Sequence, residues 1–253
     1  MTYAGFLGLF LGLPIGLLGL AVLVRYRRGG LSAHVIRRGA VAAAVHAGVA
    51  LAYTTPWDNY LVSRGVWAYD PGRVLGVRIG LVPLEEYVFF LLQPWLAGFW
   101  LLAGWSEASA GPSRSVGLCR AATGVVGAAW AGSVAVVLSG EPKTAYVALI
   151  LAWGLLPLGL QMWAGADLLL GRPWELLKRW APPTLWLWGA DSLAIGWGIW
   201  RLDPKQTLGA GFLGLPLEEA VFFGLTNLLL VGGQTLMLEL KGRDIWAGRA
   251  GRS

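Results

Sequence analysis

Apolar residues run along this chain in long blocks, divided by short stretches that carry most of the charge. Windows of about 19 residues applied to that pattern predict helices at residues 3–24, 38–53, 81–102, 116–138, 145–170, 183–200 and 213–238. A hydrocarbon core about 30 Å thick takes roughly 20 apolar residues per helix, so the pattern reads as an all-α polytopic membrane protein with seven transmembrane helices. Pro14 and Pro157 fall inside the first and fifth blocks. In lipid they kink a helix without ending it, because neighbouring helices can take up the freed carbonyls. Gly8, Gly12 and Gly16 are read as a face for close helix packing.

Composition strengthens this picture. Hydrophobic residues make up 56% of the 253 positions, charged residues 13%, and the mean hydropathy is +0.60, which excludes a soluble globular domain. The net charge of +6 would suggest nucleic acid in a soluble protein, but here the basic residues flank apolar blocks, the pattern that orients helices in a bilayer. With seven spans, Arg25, Arg27, Arg28, Arg37, Arg38, Arg114, Arg120, Arg172, Lys178, Arg179, Lys241, Arg243, Arg249 and Arg252 fall on one side. Arg64, Arg73, Arg78, Lys143, Arg201 and Lys205 fall on the other. The richer side is the cytoplasm, which predicts a multi-pass cell-membrane protein with its N-terminus outside and its C-terminus inside. The first block has no basic flank or small-residue cleavage pattern and is expected to be a retained span. A lone cysteine, Cys119, excludes an intramolecular disulfide and reads as packing. His34 and His46 have no companion ligands, so no metal is expected.

Shifting the chain by 133 residues aligns 58–92 with 191–225 without a gap, and 15 of the 35 positions are identical. That is an internal duplication. Asp58 matches Asp191, Trp67 matches Trp200, and the turn signals Asp70-Pro71 match Asp203-Pro204. Pro83-Leu84-Glu85-Glu86 matches Pro216-Leu217-Glu218-Glu219, followed by Val88-Phe89-Phe90 and Val221-Phe222-Phe223. Helices 1–3 and 5–7 then form a parallel repeat, with one unit in 1–110, a linking helix in 111–140 and a second unit in 141–253.

Each motif places a proline near the first helical turn and two carboxylates at the positive end of the helix dipole. Capping alone is an incomplete reading, because an apolar span follows at once, and ionisable groups at membrane depth mark function. Neighbouring helical residues diverge by about 100°, so one glutamate of each pair faces a cavity while the other serves a neighbour, Arg73 or Arg78 in the first unit. Phe89 and Phe222 sit one turn deeper on the same side. Asp58 and Asp191 can approach the glutamates from the second and sixth spans. Some of the fifteen tryptophans face a cavity, and the rest form interfacial belts.

Paired glutamates and aromatic rings, without a nucleophile triad, phosphate loop or dinucleotide fingerprint, suit acid catalysis on a hydrocarbon. A buried carboxylic acid can protonate an alkene, aromatic faces can stabilise the carbocation, and a second carboxyl can take a proton after ring closure. The doubled Pro-Leu-Glu-Glu followed by aromatics resembles the membrane-embedded lycopene cyclases of archaea, fungi and some bacteria, in their fused single-chain form. The resemblance implies non-redox cyclisation of lycopene ψ-ends to β-ionone rings, giving γ-carotene and then β-carotene, with no cofactor. It assigns acid and base roles to Glu85, Glu86, Glu218 and Glu219, with Asp58 and Asp191 as further catalytic candidates. Phe89, Phe90, Phe222, Phe223, Trp67 and Trp200 are the candidate substrate-binding residues. A fused phytoene synthase domain, as in fungi, is not expected, since the chain ends soon after the last span. The expected partners are a lipophilic carotenoid and the bilayer, with carotenoid-pathway enzymes or a second copy of the chain left open. The rival readings are a proton-coupled transporter and a non-catalytic carotenoid-binding protein.

Overall fold

The computed structural model describes residues 1–106 and 114–240; four of the cytoplasmic-side charges tallied above, Lys241, Arg243, Arg249 and Arg252, lie outside the described residues. The chain is mostly helical. Among the described residues six helices are long and apolar enough to cross a membrane: α1 (Tyr3–Arg27), α2 (Ala33–Ser63), α3 (Leu84–Ala103), α4 (Val116–Ser139), α5 (Ala145–Leu170) and, after the intervening α6 (Pro173–Gly196), α7 (Leu217–Glu239). α6 is comparably long but less apolar, with Glu175, Lys178 and Arg179 in its first turns. The outer surface carries large apolar side chains such as Leu17, Val125, Leu138 and Leu160. Such a surface suits lipid and not water, and the chain is a membrane protein.

Two helices run further than the hydropathy pattern suggested. α2 begins after Ser32, whose hydroxyl caps the Val35 N–H (3.3 Å), and continues through Pro56 to Ser63. The polar residues of its extension are accommodated by contacts that hydropathy does not register; Asn59, for instance, donates to the Tyr87 hydroxyl of α3 at 3.0 Å. α6 starts at Pro173, suited to a first turn, and stops at Gly196 instead of reaching Trp200.

The connections to the two motif helices are not plain loops. They contain short strands: β1 (Trp67–Tyr69), β2 (Arg78–Ile79), β3 (Val82–Pro83), β4 (Trp200–Leu202), β5 (Gly211–Phe212) and β6 (Leu215–Pro216). β2–β3 and β5–β6 are tight hairpins, whose turns require positive φ at Gly80, and at Leu213 and Gly214. β1 and β4 pair antiparallel across the molecule, Trp67 opposite Leu202 and Tyr69 opposite Trp200. Reciprocal bonds extend that ladder, from the Asp70 N–H to the Ile199 carbonyl (3.0 Å) and from the Asp203 N–H to the Val66 carbonyl (2.8 Å). Asp70 and Asp203 then turn the chain by accepting from the Gly72 and Lys205 N–H groups.

α3 and α7 form the centre. In their most apolar windows 56% and 72% of residues are buried, against 6% for α4, which packs on the outside against α5. The carbonyls freed by proline do find partners. Phe10, four residues before Pro14, accepts from the Trp186 indole (2.8 Å), and Trp153, four before Pro157, accepts from the Tyr53 phenol (2.9 Å). A π-helical turn at Gly8–Gly12 leads into Pro14. The proposed packing face at Gly8, Gly12 and Gly16 is not one: Gly8 and Gly16 have open space where a Cβ would stand, and Gly12 would meet only the Leu7 carbonyl of its own helix. Close approach occurs instead at Gly154, where a Cβ would fall 2.3 Å from Leu225 Cδ2. Gly154→Ala is therefore expected to lower the thermal unfolding midpoint in detergent, at a cost of about 1–3 kcal/mol, whereas Gly16→Ala leaves it unchanged or raises it.

Candidate active site

The two Pro-Leu-Glu-Glu motifs fold alike. Pro83 and Pro216 are the N-caps of α3 and α7, in extended conformation, so their fixed φ and missing N–H cost nothing there. Both glutamates of each pair fall in the first helical turn, and the divergence between neighbours sends them in different directions. Glu85 Oε1 accepts from the Leu75 N–H at 2.6 Å, and Glu218 Oε1 accepts from the Leu208 N–H at the same distance. These bonds pin the connecting segments to the helix mouths. The neighbour served is thus backbone and not arginine; Arg73 instead meets Asp70 and the Met1 carbonyl.

Glu86 and Glu219 turn inward and line a single chamber, together with Asp58 from α2 and Asp191 from α6. Trp67 and Tyr69 of β1 with Trp200 and Leu202 of β4 cover it, since the ladder spans the mouth between the two motif helices. Phe89, Phe90, Phe222 and Phe223, one turn along α3 and α7, line its inner end. Phe89 meets Phe223 edge-on at 6.0 Å, and Trp57 stacks on Phe222 at 5.9 Å. The space left is about 40 Å³, enough for a water or two, so the rings must part to admit anything larger.

Tyrosines hold the inward carboxyls. Tyr3 and Tyr69 both donate to Glu86 Oε2, at 2.5 and 3.0 Å, and Tyr146 donates to Glu219 Oε1 at 2.6 Å. Burial first, and the Glu86 carboxyl second, hold the Tyr69 phenol well above its ordinary value, so it remains a donor. The aspartates differ. Asp191 accepts from the Trp200 indole at 3.1 Å, whereas neither Asp58 oxygen has a hydrogen-bond partner among the described residues. No lysine or arginine is among the residues lining the chamber. Ionising all four carboxyls in so apolar a space, with no lysine or arginine among its lining residues, is costly.

Of the residues singled out from sequence, the structure gathers Glu86, Glu219, Asp58, Asp191, Trp67, Trp200 and the four phenylalanines, and leaves Glu85 and Glu218 outside. Tyr3, Trp57, Tyr69 and Tyr146 were missed. The duplication could not reveal them, because the 133-residue shift pairs Tyr69 with Leu202 and Trp57 with Ala190. His46 sits elsewhere, its Nδ1 2.8 Å from the Ala42 carbonyl, and Cys119 is buried with its Sγ 3.4 Å from Asp167. Tyr146→Phe removes the one hydroxyl donor to Glu219 among the described residues, whereas Tyr3→Phe leaves Tyr69 on Glu86. Thermal unfolding should therefore show the larger loss for Tyr146→Phe, about 1–3 kcal/mol for an unsatisfied buried acceptor.

The sequence matches the family described as Lycopene cyclase in two segments, residues 9–102 and 143–235. The lycopene beta-cyclases of two Halobacterium salinarum strains are each 36% identical over 237 residues, covering 93% of this chain and 95% of the relative. The bifunctional lycopene cyclase/phytoene synthase of Aspergillus niger is 33% identical over 192 residues, covering 73% of this chain and 33% of the fungal protein. No solved structure matches. With the family matched over most of its length and a relative aligned nearly end to end, the chain belongs to the lycopene cyclase family.

Proposed function

We propose that this protein closes the ψ-ends of lycopene into β-ionone rings by acid catalysis inside the chamber lined by Glu86 and Glu219. The observation that carries this reading is that both inward motif glutamates share one enclosed, aromatic, cation-free space. A protonated carboxyl there adds its proton to the terminal double bond of the chain end, leaving a tertiary cation. The next double bond attacks that cation and closes a six-membered ring, which moves the positive charge into the ring. A carboxylate then removes a ring proton, and the new double bond forms. One proton enters and one leaves, so the product is an isomer of the substrate and no electrons are exchanged. The faces of Trp57, Trp67, Trp200 and the phenylalanines stabilise the cation, and closure of the site keeps water from trapping it. Asp58 and Asp191 share the chamber's protons. Glu85 and Glu218 act as positioning residues that hold the covering segments in place. Because one chamber serves both ends, γ-carotene precedes β-carotene.

The same reading extends to the whole chain: seven spans, with residues 1–110 and 141–253 as parallel units about a pseudo-twofold axis and 111–140 as the link. Its support is the recurrence of strands, hairpins, caps and carboxylate bonds at the 133-residue spacing. The motif mouths then face outward. In a Cys119→Ser background, an impermeant maleimide should label Lys205→Cys on intact cells and Lys178→Cys only after permeabilisation; the reverse pattern contradicts this orientation.

Expression in lycopene-accumulating cells tests the chemistry. The wild type should convert the pigment to cyclic carotenes, while Glu86→Gln and Glu219→Gln lose about 100-fold or more in rate without loss of folded protein. Full activity in both variants removes these residues from the mechanism. Glu85→Gln and Glu218→Gln should instead keep measurable conversion and show lower thermal stability.

A further inference from the structure

In the cyclase reading the chamber takes one chain end once its rings part, yet a carotene is a long rigid rod whose remaining length must lie somewhere. A second cavity begins where the chamber stops. Phe90 and Phe222 line both, and from this shared collar the second cavity continues between α2, α3, α5 and α7 with a volume of about 160 Å³. Its lining spans Val45 to Thr54 on α2, Trp153 to Gln161 on α5 and Phe222 to Leu230 on α7. At a 1.5 Å rise per residue each helix gives a length of about 12 Å, so the three agree on a slot running along the bundle axis, away from the carboxylates.

We propose that this slot is the polyene channel, occupied by the part of the carotene's conjugated chain next to the ψ-end while that end is in the chamber, and open sideways to lipid between α2 and α5, where the rest of the chain lies. The inference rests on the cyclase reading and gives that site its access route. Three observations carry it. The slot's lining is predominantly apolar and holds no Lys, Arg, Asp or Glu. Val45, Val49 and Tyr53, which line it, recur every four residues on one face of α2 and are 45%, 56% and 36% exposed, so its rim lies on the lipid-facing surface. The helices that flank the opening touch at Tyr53, whose ring stacks on Trp153 at 5.6 Å and whose phenol donates to the carbonyl freed by Pro157. In addition, the buried indole N–H groups of Trp57, Trp67 and Trp153 along this route have no acceptor among the described residues, and a polyene supplies a π face for such donors.

Ala50→Trp places a bulky ring in the slot, away from the carboxylates, and Val41→Trp places the same ring on the exposed stripe of α2 beyond it. Two readouts are taken: conversion of lycopene against a shortened linear apocarotenoid with one ψ-end, and the lycopene that co-purifies with detergent-solubilised protein. Ala50→Trp should reduce lycopene conversion and co-purification about tenfold while the short substrate stays within about twofold, and Val41→Trp should match the wild type. Wild-type handling of lycopene by Ala50→Trp overturns the channel, and so does an equal loss on both substrates, which makes Ala50 a structural residue. Lycopene held by the wild type and lost from Ala50→Trp, with neither substrate cyclised by either protein, upholds the channel and refutes the cyclase reading.

Discussion

Carboxyl groups withdrawn from water among aromatic rings, with no cation beside them among the described residues, are the constraint around which this molecule is arranged. Isolated ionised carboxylates in such surroundings are costly, and each element near the chamber bears on that cost. The helix N-termini of α3 and α7 direct their positive ends at the glutamates. Three tyrosine hydroxyls donate to one oxygen of Glu86 and one of Glu219. The β1–β4 ladder covers the opening, with Tyr69 and Trp200 delivered from opposite strands. What the arrangement leaves is four carboxyls held against aromatic surface, and the proposed chemistry draws its proton from them.

Two copies of one motif have come to share one site, and sharing permits them to differ. Tyr69 in the first unit stands where Leu202 stands in the second, so Glu86 accepts two phenols and Glu219 one. Trp200 bonds to Asp191, while the matched Trp67 leaves Asp58 without a hydrogen-bond partner among the described residues. The outer carboxylates stay equivalent, Glu85 and Glu218 making the same bond at the same length to residues ten positions earlier. Identity extends into the chamber at Asp58 and Asp191, Trp67 and Trp200, and Glu86 and Glu219, and the difference between the two sides lies in what bonds to them.

Much of this was legible in the linear sequence because membrane helices and repeats leave strong one-dimensional signals. The apolar blocks located six helices that meet the length and hydropathy of a span among the described residues, and the 133-residue shift pointed to Glu85, Glu86, Glu218, Glu219, Asp58 and Asp191 alike, of which Glu86, Glu219, Asp58 and Asp191 share the chamber. The divergence of adjacent helical residues also anticipated that each pair splits between a cavity and a neighbour. What hydropathy could not register were polar contacts that let helices extend past their apolar blocks, as Asn59 does in α2 by donating to the Tyr87 hydroxyl. Strands of two or three residues carry no periodicity, so the cross-unit ladder was unreadable. Tyr3 and Tyr146 reach the chamber from helix starts outside the aligned repeat, and only folding brings them within 2.6 Å of a motif carboxyl.

The central claim is that a carboxyl exchanging with solvent gives its proton to the chain end. Mass spectrometry of β-carotene formed by the purified protein from unlabelled lycopene in heavy water tests it most directly. One deuterium per closed ring, on the ring carbon that receives the proton, is the predicted result. Unlabelled β-carotene would contradict the account, because ring closure would then have proceeded without a proton from the chamber.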